Sequence, residues 1–335
     1  MKIANKSFLF LSTIFIFGGC ANGTLDLPNS LTIDGKPQFI GVDHTCKEMY
    51  ESYDANLESA MGIGIILASK KIESFTNKLS GTTTKSTIKE SEIKTLARDV
   101  AKKSFWIPLN FEKLYGESLI EERLKDGRLI NKNTKNKKYI GMYKKLDDFK
   151  KKYIAHAIAE NAQFPFDVDI YISTEKDTAE AIPYGKVIIS ENYVANGRYK
   201  TILAHELSHV AKRHTTKEMQ YRIVSVADSV TDILGIVKNI QSEDAGQFNQ
   251  FFNAINVKGK FEKYSQDMEL EADACGVRLL GKLYPENKAK HIDEMILNID
   301  RTLQEEDTQN NHYTIQEHPD KNIRIENIKE VAKLI

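Results

Sequence analysis

The chain has 335 residues, with 47 basic and 47 acidic side chains, and 41% of it is hydrophobic. That is ample apolar material for a core and excludes a largely disordered chain, while zero net charge gives no reason to expect nucleic acid as a partner. Three cysteines are too few for a disulfide scaffold, and no apolar run approaches the roughly 20 residues that a membrane-spanning helix needs.

The first segment reads as an address. Lys2 and Lys6 precede a short apolar stretch from Phe8 to Phe17, followed by Gly18-Gly19-Cys20-Ala21. A positive start, a brief apolar core and small residues make residues 1–19 a secretory signal. A cysteine directly after two glycines resembles the bacterial lipobox, with Cys20 as the lipidated first residue and the attachment point to a membrane. Phe17 stands where leucine is usual, and plain cleavage after Ala21 is the alternative. Loss of residues 1–19 leaves a net charge of −2. Residues 20–40, rich in Asn, Gly and Pro, then form a tether. The expected location is the periplasm, anchored to the envelope and most naturally to the outer membrane. An oxidising periplasm allows Cys46 and Cys275 to pair, although sequence leaves their geometry open.

Residues 41–145 read as a mostly helical region of unassigned role, with a break near Gly81 and a polar loop over 126–141 whose lysines are solvated. From 146 to 335 the pattern sharpens. A helix runs from Leu146 to about Ala162, a strand covers Val168–Ile172, and a second strand covers Ala181–Ser190. Pro183 at its entrance points to an edge position. Helical rhythm returns over 223–240 and again at Ile292, Met295, Ile296, Ile299 and Leu303. Long helices around a small sheet define a helix-dominated α+β domain.

Thr201–Ala211 is a helix with no proline or glycine inside. Spacing of four puts His205 and His209 on one face, one turn apart, so both imidazoles can reach a single Zn²⁺ at about 2.0–2.1 Å. Glu206, one residue offset, cannot easily ligate the same ion but can touch water beside it, the arrangement of a zinc peptidase. Among eight histidines this pattern arises by accident in about one chain in a hundred. A catalytic site needs a third protein ligand and one open position. Glu269, within Ser265–Gly276, supplies it. Asp273, one turn further on the same face, is placed to accept a hydrogen bond from the second nitrogen of a ligating histidine. Ala272 and Gly276 are small enough for close helix approach. Glu271 points elsewhere, to solvent.

Leu203-Ala-His-Glu-Leu-Ser-His-Val-Ala-Lys-Arg-His214, Glu269-Leu-Glu-Ala-Asp273 and a late His318-Pro319 followed by Arg324 resemble the HtpX-like and CAAX-prenyl-endopeptidase group of zinc metallopeptidases, over about residues 145–335. The resemblance implies a zincin-like fold of the gluzincin plan, one Zn²⁺ per chain and an edge strand before the metal helix. It implies that extended protein or peptide substrate pairs with the strand Lys186, Val187, Ile188, Ile189 and Ser190. Glu180-Ala181 replaces the family's usual Asn-Ala opening of that strand. The resemblance also sets His318 or Arg324 near the cleft, as oxyanion donor or gate, with a packing histidine and a surface ion pair as the plain alternatives. His214 reads as a residue near a helix C-terminus, serving the helix dipole. The implied activity is endopeptidase action on unfolded or misassembled envelope proteins. The rivals are a chaperone-like lipoprotein with a structural zinc closed by Cys275 or His318, and a hydrolase of non-peptide envelope material.

Overall fold

The computed structural model of the protein describes residues 32–33, 36–37, 44–50, 107–226, 266–308 and 321–335. Cys20, His318, the signal and most of the tether lie outside them, as do the break near Gly81 and the helical pattern beyond residue 226. No helix among the described residues is long and apolar enough to cross a membrane.

Helix α1 (Leu109–Lys125) opens the main body, and helix α2 spans Lys137–Ala159. The second begins at Lys137 rather than Leu146, because the Asn136 side chain accepts from the Lys138 amide and caps it there. The intervening loop is less free than its charge suggests, since Lys132 Nζ pairs with Asp169 at 2.7 Å. Met142, Leu146, Phe149, Tyr153 and Ala157 recur at helical spacing and form the buried face of α2.

Three strands follow: β1 (Asp169–Ser173), β2 (Ala179–Ile182) and β3 (Lys186–Ser190). Their order is β1-β3-β2, with β1 parallel and β2 antiparallel to the central β3. The expected single strand over 181–190 is therefore a hairpin. Pro183-Tyr184-Gly185 turns the chain, with Tyr184 and Gly185 both at positive φ. A Cβ on Gly185 would lie 2.4 Å from the Phe166 ring, so glycine is required there on both counts. Proline marks the turn rather than an edge.

The consequence corrects the expected substrate strand. Lys186, Val187, Ile188, Ile189 and Ser190 are all buried, and β1 and β2 occupy both sides of their strand. Among the described residues, the edge strand beside the metal helix is β2.

Ser190 caps the short helix α3 (Glu191–Ala195), which leads into α4 (Tyr199–Ala211). Arg213, at positive φ, reverses the chain, and His214 begins α5 (His214–Val226). Helix α6 (Gln266–Leu283) packs most extensively against α4, and α7 (Lys288–Thr308) and α8 (Lys321–Lys333) close the other side. A Cβ on Gly276 would sit 3.4 Å from the backbone of Ala204 and His205, which is the close helix approach that small residues permit. The core joins Leu203, Leu207 and Val210 of α4 to Ala274, Val277, Met295, Ile299 and Ile328. Cys46 and Cys275 form a disulfide with a Cα–Cα distance of 5.0 Å, which fastens the 44–50 segment to α6.

Candidate metal centre

Helix α4 is held from behind before its histidines matter. The Tyr153 hydroxyl of α2 donates to the Ala204 carbonyl at 2.9 Å and lies 3.0 Å from Ser208 Oγ. Both contacts fix the azimuth of the helix and aim His205 and His209 toward α6. Their Nε2 atoms face each other at 3.0 Å, and each lies 3.5 Å from a carboxylate oxygen of Glu269. A tetrahedral ion with bonds of about 2.0–2.1 Å holds its ligand atoms about 3.3 Å apart, so the three donors already stand at the spacing such an ion needs. These residues form a group able to hold a metal ion. His209 and Glu269 are buried, whereas His205 keeps 16% side-chain exposure and marks the side open to solvent.

The electrostatics point the same way. Two imidazole nitrogens this close must share a proton if no cation lies between them. Burial opposes charge on His205, but hydrogen bonds to Asp273 and Glu269 outweigh it and lift its pKa to about 10. Burial and the His205 charge push His209 well below the usual histidine range. Burial works against Glu269 as well, yet the Arg324 guanidinium and the histidines hold it ionised, well below the carboxylate range. A divalent cation can take over the role of that one proton.

Asp273 does what its spacing suggested: its Oδ1 lies 2.9 Å from His205 Nδ1 and so sets the tautomer that presents Nε2. Arg324 is neither at the surface nor aimed into an open cleft. Its Nε and Nη2 donate to the two oxygens of Asp273 at 2.7 and 2.8 Å, and Nη1 reaches Glu269 Oε2 at 2.9 Å. It locks the two carboxylates of α6 in place. The expectation set Arg324 at the cleft or in a surface ion pair; the structure places its donors on the two buried carboxylates of α6, where it orients them.

Glu206 lies beside the group, buried, and its Oε2 has no hydrogen-bond partner among the described residues. Burial raises its pKa to about 7; the His205 charge and a hydrogen bond from the Ala181 backbone lower it, while Glu269 and Glu180 raise it. An unsatisfied buried carboxylate oxygen next to converging imidazoles is costly for stability and suited to holding a water proton.

Two readings change. Glu271 is fully buried rather than solvated, because α6 is enclosed on both sides; its Oε2 lies 3.0 Å from His214 Nε2 and its Oε1 lies 3.0 Å from Lys212 Nζ. His214 is not at a helix C-terminus, since α4 stops at Ala211; its Nδ1 lies 2.8 Å from His209 Nδ1. A histidine five residues after the motif, beyond the chain reversal, was the available sign. Cys275 is held in the disulfide and cannot close the site as a fourth ligand.

A site of two histidines and a glutamate on packed helices, with a second glutamate beside it, is the arrangement that metallopeptidases use. Residues 148–332 match peptidase family M48, and the chain belongs to that family. It is similar to the protein named Metalloprotease YcaL from Escherichia coli (strain K12), 30% identical over 135 residues, which cover 38% of this chain and 50% of that protein. The chain thus spans about half the length of the curated relative it matches. No solved structure matches it significantly.

Proposed function

We propose that the protein is a zinc-dependent endopeptidase of the bacterial cell envelope that cleaves unfolded or misassembled envelope proteins. The observation that carries this reading is the convergence of His205, His209 and Glu269 beside the buried Glu206, whose Oε2 has no partner among the described residues. Two neutral imidazoles and one carboxylate are a donor set suited to zinc, one ion per chain. When bound there, zinc supplies Lewis acidity to the scissile carbonyl and lowers the pKa of an attacking water.

The chain's own residues do the rest. Asp273 and Arg324 keep His205 and Glu269 in position. Glu206 Oε2 accepts the proton of the attacking water and delivers it to the nitrogen of the leaving amine. Extended substrate runs along the edge strand β2 and is recognised through its backbone. Such recognition needs a stretch of unfolded chain and little side-chain identity, in keeping with misassembled substrates. The Cys46–Cys275 disulfide supports an oxidising compartment. With the signal at 1–19 and Cys20 as the lipidated residue, that compartment is the periplasm, with attachment to the outer membrane.

The test compares casein cleavage by the wild type and by Glu206→Gln, both with zinc content measured. We expect the variant to keep its zinc and to lose about 10²–10⁴-fold in turnover, the usual worth of a positioned base. Equal cleavage by a zinc-loaded variant overturns the mechanism. For the anchor, Cys20→Ser should move the protein from the membrane fraction to the soluble periplasmic one.

A further inference from the structure

We propose that His214 and Glu271 are positioning residues for His209, so that metal retention depends on a pair that does not touch the metal. The inference rests on His209 being a ligand through Nε2.

An imidazole that offers Nε2 to a cation carries its proton on Nδ1. His209 is fully buried, so that proton must find an acceptor inside the protein. His214 Nδ1 is 2.8 Å away. The two rings are inclined at 73° with centroids 4.8 Å apart, an edge-on approach rather than a stack. His214 Nδ1 can accept only if the proton of that ring sits on Nε2. Glu271 Oε2, 3.0 Å from Nε2, is the acceptor that selects this tautomer. The other oxygen of Glu271 takes Lys212 Nζ at 3.0 Å, and Lys212 donates in turn to the Glu48 carbonyl at 2.8 Å. Proton positions are thus dictated in sequence from Glu271 to the metal-facing lone pair of His209.

The two ligating histidines are braced by different means. His205 meets a carboxylate, Asp273, directly. On its Nδ1 side, His209 reaches the Glu271 carboxylate through an intervening imidazole. Glu271 lies two positions after Glu269 on the same helix, so α6 supplies a ligand from one side and the remote end of the brace from another.

The experiment measures zinc affinity by competition with a chromophoric chelator, and the d–d spectrum of the Co²⁺-substituted protein. His214→Phe should weaken zinc binding about 10–100-fold, as loss of such outer partners typically does, and should shift the Co²⁺ bands. His214→Gln should recover much of that loss, because a primary amide carries an acceptor and a donor on one planar group. Glu271→Gln should lose affinity to a smaller extent. Glu112→Gln serves as the structural control: Glu112 pairs with the buried Arg213, next to His214, without touching a ligand. It should lower the unfolding midpoint and leave zinc affinity and the Co²⁺ spectrum unchanged. A folded His214→Phe with wild-type affinity and spectrum overturns the inference, as does an equal affinity loss in Glu112→Gln. If His214→Phe fails to fold, unchanged affinity in Glu271→Gln overturns it. A wild-type protein that takes up no zinc defeats the metal reading itself.

Discussion

Replacing Glu206 by glutamine tests the burial of its carboxylate in the metal-free protein, where no cation offsets the cost. Burial raises its pKa from 4.5 to about 7. Across that interval the folded state holds a proton that the unfolded state has released. Stability therefore falls as pH rises, from full below about 4.5 to fully reduced above about 7. The displacement corresponds to about 3 kcal/mol, as an upper figure. Glutamine mimics the protonated acid and carries no such slope. Urea denaturation of chelator-treated protein, with the disulfide intact, at several values between pH 5 and pH 8 supplies the data. Other groups titrate in both proteins, His205 among them, so the difference between the two curves isolates position 206. We expect Glu206→Gln to gain relative to the wild type by about 2–3 kcal/mol between pH 5 and pH 8. Parallel curves would show that the carboxylate is hydrated or paired, and the argument for a buried base would fail.

Further outcomes follow from the same geometry. Arg324→Met leaves Glu269 and Asp273 buried without their shared cation and should cost about 3–5 kcal/mol in the metal-free protein by urea denaturation; a loss below about 1 kcal/mol would contradict the buried network. Zinc uptake at pH 7 should release about one proton from the His205–His209 pair, because His205 is lifted to about 10; calorimetry in buffers of different ionisation enthalpy reads this directly, and no release would mean both rings are already neutral. Cys46→Ser should destabilise the protein by up to about 5 kcal/mol, since the disulfide closes a separation of 229 residues; unchanged unfolding would mean the bond is not formed in solution.

The metal group was legible because a helix converts spacing into a face: four residues bring His205 to His209, and four bring Glu269 to Asp273. The same rule, applied to Glu271, failed. A helix enclosed on several sides has no solvent face, and periodicity gives direction without saying what lies in that direction. The hairpin over 179–190 was missed for a related reason. Pro183 was legible as a break, but whether a break ends a strand or turns a hairpin depends on the two positive-φ residues after it, one of which is a tyrosine. Arg324 shows a third limit. Its proximity to the site followed from family resemblance, yet its partners are set by how α8 docks on α6, a tertiary fact with no local signature. The Cys46–Cys275 pairing likewise needed the fold, because 229 residues separate the thiols.

The segment around residue 46 touches the interior at more than its sulfur. Cys46 is bonded to the helix that bears Glu269, and the Glu48 carbonyl receives the ammonium group that also holds Glu271. The segment is thus tied to the ligand-bearing helix twice, once covalently and once through Lys212. Breaking that one covalent link is therefore expected to be felt at the ligand-bearing helix as well as in overall stability.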